Sequence, residues 1–292
     1  MDKKIGIIGL GRCGLPAARR FAEQGWQVFS SARRPEVIEE FESFGGVQLP
    51  SPAQVAAEAG TVIVIVLNDQ QVREVIAGPE GLLSTARPGS LIVHMSTVKR
   101  SSLEETARLC AEKEVDLLDC PFTGGPARVA DGSLTLIAAA EERVMAAAKP
   151  IMEVIGKITV AGPKPGMGQA VKHCNQLLVT AIHAATVELI TLAKATGVDP
   201  ELVCQVTGSG IGGNDYFRFL SKAIIDNGPS PGGMGQLWKD VNIVIDSAKR
   251  LSLPLLVATA TAQYFDMAER QGMGGQDSAR LIKVLEKMSQ PE

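Results

Sequence analysis

Lys172 is the only lysine or arginine in the first five turns of a long apolar helical stretch. It sits in Gly166-Met167-Gly168-Gln169-Ala170-Val171-Lys172-His173-Cys174-Asn175-Gln176. Asn175 and Gln176 follow three and four residues later, hence on the same helical face. A lysine against apolar surroundings has its pKa lowered and can exchange a proton near neutral pH. Lys172 therefore fits a general acid/base, with Asn175 orienting it or a substrate. Spacing alone equally fits a lysine that snorkels to solvent at a helix start.

Two other segments carry chemically useful groups. In Leu118-Asp119-Cys120-Pro121-Phe122-Thr123-Gly124-Gly125-Pro126, the Thr123 hydroxyl and the backbone N–H groups of Gly124 and Gly125 suit a carboxylate. A plain Gly-Gly turn is the competing reading. In Leu237-Trp238-Lys239-Asp240 a lysine stands beside a carboxylate, a pair that more often marks a solvated face.

What these groups would act with is written at the N-terminus. Lys4-Ile5-Gly6-Ile7-Ile8 reads as a buried strand and Leu15 to Gln24 as a helix. Between them Gly9-Leu10-Gly11-Arg12-Cys13-Gly14 fits G-x-G-x-x-G. In that context Gly9 makes the tight turn, Gly11 admits a pyrophosphate to the backbone, and Gly14 lets helix and strand pack closely. The helix N-terminus faces the phosphates. The next strand, Trp26 to Phe29, ends in Ser30-Ser31-Ala32-Arg33-Arg34, with no carboxylate before Glu36. Asp or Glu at that place would accept from an NAD ribose, whereas a guanidinium forks onto a 2′-phosphate. Ser31, Arg33 and Arg34 thus indicate NADP rather than NAD. The alternative leaves the arginines solvated and gives Glu36, in the next helix start, to NAD.

The elements that must position these groups follow an alternating pattern through the first half. Strands are expected at Thr61–Leu67, Ser90–His94, Val115–Leu118, Ser133–Ala139 and Lys157–Ala161. Helices are expected at Pro52–Ala59, Gln70–Ala77, Ser102–Lys113 and Glu141–Ile155. Alternation predicts an α/β domain with a mostly parallel, doubly wound sheet, whose ligands bind beyond the strand carboxyl ends. The pattern changes at Ala161-Gly162-Pro163-Lys164-Pro165-Gly166, a turn-rich boundary. Beyond it an all-α domain is built on one long helix, Gly168–Thr196, with shorter helices at 200–208, 214–225, 235–251, 254–271 and 276–288. The expected domains are 1–163, dinucleotide-binding, and 164–292, helical and substrate-binding. The long helix is apolar on nearly every face, which predicts burial against a second subunit, as a homodimer or homotetramer.

With 45% hydrophobic and 21% charged residues, the 292-residue chain can bury a core. A net charge of −3 offers no electrostatic case for nucleic acid or an anionic membrane. The longest apolar runs read as interrupted or too short to span a bilayer. Five scattered cysteines without C-x-x-C spacing suit reduced thiols in the cytoplasm. His94, His173 and His183 show no metal-ligand clustering, so no metal site is expected. The chain enters its first strand at once, so no signal peptide is expected.

Taken together these motifs resemble the β-hydroxyacid dehydrogenase family, which includes 3-hydroxyisobutyrate dehydrogenase and tartronate semialdehyde reductase. The resemblance spans nearly the whole chain. Gly9 to Gly14 matches the family's G-x-G-x-M-G with Cys13 for methionine. Asp119 to Gly125 matches D-x-P-x-S-G-G with Thr123 for serine. Gly166, Gly168, Lys172 and Asn175 match G-x-G-x-x-x-K-x-x-N, and Lys239-Asp240 matches the K-D pair. Val66-Leu67-Asn68 and His94-Met95-Ser96-Thr97 match two cofactor-contacting segments, with Asn68 for proline and His94 for aspartate.

The resemblance implies an NADP-dependent oxidoreductase that interconverts a small β-hydroxyacid and its semialdehyde. Lys172 would be the acid/base, Asn175 would help hold substrate, and Thr123, Gly124 and Gly125 would bind its carboxylate. Leu67, Asn68, Thr97 and Lys239 would contact the cofactor, alongside Gly9, Leu10, Gly11, Arg12, Cys13 and Gly14. The family's active site lies between its domains, and Asn214, Tyr216 and Arg218 are candidates for substrate selection. Two rivals remain at this level: an imine reductase on a similar fold, against which Lys172 speaks, and a non-catalytic NADP-binding sensor.

Overall fold

The computed structural model describes residues 3–230 and 232–288. The outer ends of the two expected domain ranges, 1–2 and 289–292, lie outside the described residues. The chain separates into two compact units, one up to Lys172 and one from His173.

In the first unit the strands are β1 (Lys4–Ile8), β2 (Gln27–Ser30), β3 (Val47–Gln48), β4 (Thr61–Val64), β5 (Leu91–His94), β6 (Asp116–Asp119), β7 (Phe122–Thr123), β8 (Leu134–Ala139) and β9 (Gly156–Gly162). The helices between them are α1 (Gly14–Glu23), α2 (Pro35–Ser43), α3 (Pro52–Glu58), α4 (Asp69–Ala77), α5 (Arg100–Ala111), α6 (Gly125–Asp131) and α7 (Glu142–Met152). The sheet runs β3-β2-β1-β4-β5-β6-β8-β7, with β9 on β8. The path from β3 to β6 is parallel throughout, and β8 turns antiparallel to β6 and β7. This is the doubly wound order of dinucleotide-binding sheets.

Both faces are covered, which is why the strands read as unbroken apolar runs. Ile5, Ile7, Ile63, Val93 and Leu118 pack on one side with Ala18 and Phe21 of α1 and Ile151 of α7. Their neighbours Ile8, Val62, Val64, Ile92 and Leu117 pack on the other with Val55, Val72, Ile76 and Leu103 from α3, α4 and α5.

The second unit is helical. It holds most of α8 (Met167–Ala195), then α9 (Pro200–Ser209), α10 (Asp215–Ile225), α11 (Met234–Arg250), α12 (Leu256–Arg270), a 3₁₀ turn over Ser278–Leu281 and α13 (Ile282–Met288). Asp199 and Asn214 cap α9 and α10 by accepting from backbone N–H groups. Val187 and Ile190 of α8 form the core with Phe217, Leu237, Val241 and Phe265.

Several local expectations are corrected. The strand expected to run to Leu67 ends at Val64, because the Val66 N–H leaves the ladder and donates to Ser96 Oγ at 2.8 Å. The Gly-Gly-Pro segment opens a short helix, α6, and Phe122–Thr123 pairs with β8. The 29-residue α8 is also long and apolar enough to cross a membrane by length and composition, contrary to the sequence reading of its apolar runs. Its buried Thr180, His183 and Thr186 all hydrogen-bond within the helical unit.

Candidate active site

The glycine turn leaves the carboxyl end of β1 at the centre of the parallel sheet. Gly9 has φ +104°, and a Cβ there would lie 2.3 Å from the Ile65 carbonyl oxygen. A Cβ on Gly14 would lie 2.0 Å from the Gly9 carbonyl oxygen, so α1 is packed directly onto the turn. A Cβ on Gly11 would meet nothing within 4 Å. Two glycines are therefore required by the protein's own packing, and the third keeps the turn's outer surface bare. No side chain caps α1 at Cys13, which leaves the helix terminus suited to a phosphate. Arg12 is exposed beside it. These residues fit a dinucleotide pyrophosphate.

The loop after β2 is shaped by a residue the sequence reading did not single out. Gln48 of β3 accepts from the Ala32 N–H and donates to the Ala32 carbonyl, both at 3.0 Å. Its signal was weak because two-residue strands have no periodicity. Within that loop the Ser31 hydroxyl is buried and has no hydrogen-bond partner. Arg33 is exposed. The Arg34 guanidinium donates to the Leu10 carbonyl at 3.4 Å, which brings it against the glycine turn. Its other nitrogen lies 3.8 Å from Glu36, with both side chains more than 60% exposed, so this ion pair holds it weakly. The exposed guanidinium of Arg33, the loosely held one of Arg34 and the unpartnered Ser31 hydroxyl thus lie on one pinned loop.

The loops after β4 and β5 meet the start of α8 inside the first unit. Asn68 caps α4 by accepting from the Gln71 N–H, and half-exposed Leu67 donates its N–H to Gln71 Oε1. Thr97 lies between Ser96 and Val98, and the backbone of both neighbours is held by Gln169. Val98 N–H donates to Gln169 Oε1 at 3.1 Å, and Gln169 Nε2 donates to the Ser96 carbonyl at 3.0 Å. The same Nε2 donates to Asp119 Oδ1 at 3.1 Å. Asp119 Oδ2 accepts from the backbone N–H of Gly166 at 2.8 Å and of Gln169 at 3.1 Å. Burial pushes the Asp119 carboxyl up to about 6, against the opposing pull of the Gly166 and Gln169 donors. Neither Asp119 nor Gln169 was assigned a role from sequence, because their partners lie 47 to 73 residues away.

Lys172 follows Gln169 by one helical turn and is 8% exposed. It does not snorkel freely into solvent. The Cys13 thiol is pushed up to about 11 by burial, and the positive charges of Arg12 and then Lys172 pull against that rise. The ammonium thus acts on the glycine turn itself. Thr123 is half-buried on β7, and Gly124 and Gly125, at φ +135° and +75°, begin α6 without a side-chain cap.

In the helical unit the Asn175 Oδ1 is buried and has no hydrogen-bond partner. Gln176 donates to buried Asp240 at 2.6 Å, and the Lys239 ammonium pairs with the other Asp240 oxygen at 2.9 Å. Lys239 is mostly buried, so this pair is not a solvated face. The three candidates for substrate selection each have internal partners. Asn214 caps α10, and Arg218 bonds the Gly208 carbonyl and Asp215. Tyr216 meets buried His183 at 2.9 Å. The other His183 nitrogen must donate to the Ser278 carbonyl, and burial lowers this histidine to about 4, so it is neutral. Among the described residues no cluster of His, Cys, Asp and Glu could hold a metal ion.

Two family models cover almost the entire chain. Residues 4–162 match the NAD-binding domain of 6-phosphogluconate dehydrogenase. Residues 166–285 match the NAD-binding domain described for NADP-dependent 3-hydroxyisobutyrate dehydrogenase. The chain is 32% identical to L-threonate dehydrogenase of Cupriavidus necator, over 97% of this chain and 96% of the relative. It is 31% identical to 2-hydroxy-3-oxopropionate reductase of Escherichia coli, over 98% of both. A 3-hydroxyisobutyrate dehydrogenase structure from Salmonella typhimurium superposes with TM-score 0.90 at 26% identity, covering 96% of this chain and 99% of that one. An imine reductase from a Pseudomonas species shares the fold, with TM-score 0.62 and 19% identity, over 97% and 99%.

Proposed function

This chain is a member of the β-hydroxyacid dehydrogenase family, and we propose that it moves a hydride between NADP(H) and a small β-hydroxyacid/semialdehyde pair, with Lys172 as general acid/base. The observation that carries the reading is the placement of Lys172. It is buried, it lies one turn beyond an anchored helix start, and its charge acts on the dinucleotide turn.

The nicotinamide supplies and accepts the hydride. The protein must then supply the proton and the geometry. In reduction, as a C–H bond forms at the carbonyl carbon, the C=O π electrons move to oxygen and Lys172 Nζ gives that oxygen a proton. Solvent restores the ammonium. In oxidation neutral Lys172 takes the hydroxyl proton as the C–H pair departs. Thr123 Oγ1 and the N–H groups of Gly124 and Gly125 would hold the substrate carboxylate. Asn175 Oδ1, an unfilled acceptor, would take a hydrogen bond from substrate. Lys239 would reach the cofactor near the nicotinamide.

The substrate class follows from what the relatives' names share. L-threonate, 3-hydroxyisobutyrate, 2-(hydroxymethyl)glutarate and 2-hydroxy-3-oxopropionate each carry a carboxylate with oxygen on the β carbon. For the cofactor, Ser31, Arg33 and Arg34 favour the 2′-phosphate of NADP, in keeping with the NADP-dependent enzyme named for the second family model. We further propose a cytoplasmic protein that acts as a homodimer or homotetramer, without nucleic-acid or membrane partners.

Those four acids, succinic semialdehyde and a cyclic imine should be assayed with NADP(H) and NAD(H). The reading requires turnover of at least one of the four β-oxygenated acids, a preference for NADP(H), and no reduction of the imine. Preference for NADH would overturn the assignment of Arg33 and Arg34, and imine reduction alone would overturn the substrate class.

A further inference from the structure

We propose that Asp119 and Gln169 are positioning residues, which set Lys172 against the cofactor loops through a buried hydrogen-bond latch at the start of α8. The inference rests on the reading of Lys172 as the acid/base, and concerns what holds that lysine in place.

Gln169 makes three side-chain bonds, and their directions fix its orientation. Its Oε1 must face the Val98 N–H, and its Nε2 must face the Ser96 carbonyl and Asp119 Oδ1. Gln169 is 0% exposed, and so is Asp119. The latch extends to the β4 loop, since Ser96 Oγ accepts from the Val66 N–H. The loops that carry Leu67, Asn68 and Thr97 are thus joined to one amide. That amide is one turn before Lys172.

Asp119 serves the helix and the substrate loop together. Its Oδ2 takes the N–H groups of Gly166 and Gln169, orienting the first turn of α8. A Cβ on Gly168 would lie 2.9 Å from this oxygen and 2.8 Å from the Ile137 carbonyl, so the helix start is seated directly on the carboxylate. Asp119 is also the last residue of β6, three residues before the β7 strand that ends in Thr123. Within the same sheet it is registered beside buried His94 of β5. Asp119 therefore anchors the lysine helix through its side chain and leads by its backbone into the Thr123-Gly124-Gly125 segment. Neither Asp119 nor Gln169 is placed to touch a reacting atom in this account; each acts through Lys172.

The test uses three variants of the full chain, assayed with NADPH and with whichever semialdehyde the wild type reduces. Gln169→Met keeps the length and removes the three bonds. Asp119→Asn sets an amide donor against the oriented Gln169 Nε2. Lys172→Ala is the reference. For the two latch variants, kcat per folded molecule falls by about 100-fold, the loss that a displacement of roughly 1 Å brings. The dissociation constant for NADPH, read by fluorescence, rises far less than kcat falls, because the glycine turn and Arg34 are untouched while the latch joins the loops of Leu67, Asn68 and Thr97. The double variant Asp119→Asn with Gln169→Glu restores an acceptor opposite the new donor and recovers part of kcat. A merely structural latch would lower the folded fraction but leave kcat per folded molecule unchanged, and that result overturns the proposal. Failure of both latch variants to fold overturns it too, because the contacts would then hold the fold rather than tune the lysine. If Lys172→Ala keeps wild-type turnover, the reading of the lysine fails. If Lys172→Ala is inactive while folded Gln169→Met and Asp119→Asn are fully active, only the latch fails.

Discussion

An added methyl group at Gly11 would meet nothing within 4 Å, whereas at Gly14 it would lie 2.0 Å from the Gly9 carbonyl oxygen. Three glycines of one motif are thus needed for different reasons, and substitution separates them. Gly14→Ala forces α1 away from the turn and lowers the thermal midpoint, with a penalty of roughly 1–3 kcal/mol as for other overpacked sites. Gly11→Ala leaves the midpoint unchanged and weakens dinucleotide binding by about tenfold or more, ~1.4 kcal/mol, because the methyl occupies the approach of the pyrophosphate. Calorimetry and cofactor titration of the two variants check this pair. At this scale the glycine spacing, Lys172 and the Lys239-Asp240 pair could all be picked out from the chain. Gln48, Gln169 and the latch role of Asp119 could not. A buried polar residue is specified by partners distant in sequence, and no spacing rule links Gln169 to Ser96 or Asp119.

Among the elements, β1, the parallel strands other than β3 and the long α8 were legible because apolar runs and the 3.6-residue period are strong signals. The short pieces escaped. Phe122–Thr123 is too brief for alternation, and Gly125-Pro126 reads as a turn although proline at the first positions is a common helix start. The junction of β6 with α8 gives the element-scale prediction. Burial lifts the folded-state carboxyl of Asp119 from 3.8 to about 6. Between these values the unfolded chain has lost this proton and the folded chain keeps it. The contribution of Asp119 to stability is therefore fully present below about 4 and is lost as pH rises through about 6. Asp131 and Glu286, whose carboxyls are lowered in the fold, give slopes of opposite sign. Those slopes are shared by Asp119→Asn and cancel in the difference. Urea unfolding across this range should show wild-type stability falling relative to Asp119→Asn as pH rises; a constant difference would refute the assignment.

For the whole molecule, the distribution of exposed apolar residues is uneven. Of the large exposed hydrophobics, Leu67, Val160 and Val171 lie in the first unit, while Leu178, Leu192, Leu202, Val206, Ile211, Phe219, Leu251 and Leu256 are among those on the helical unit. Val171, Leu178 and Leu192 recur at multiples of seven along α8, on one side of that helix. Such a surface suits a second copy of the chain. Sedimentation at micromolar concentration should therefore give a dimer or tetramer. Leu178→Glu with Leu192→Glu should shift it toward monomer, and a monomeric wild type would remove the proposal. The two-unit plan was visible in the change from alternating to helical pattern, while the uncovered face appeared only once burial was known.

The central claim is that Lys172 moves the proton that accompanies hydride transfer. It is tested most directly by Lys172→Ala, measuring NADPH binding and turnover on the same preparation. The expected result is NADPH binding retained, weakened modestly by loss of the Lys172 charge near the glycine turn, and a loss of kcat of about 10²–10⁴-fold, the usual contribution of general acid–base catalysis. Turnover at the wild-type rate with cofactor bound would contradict it.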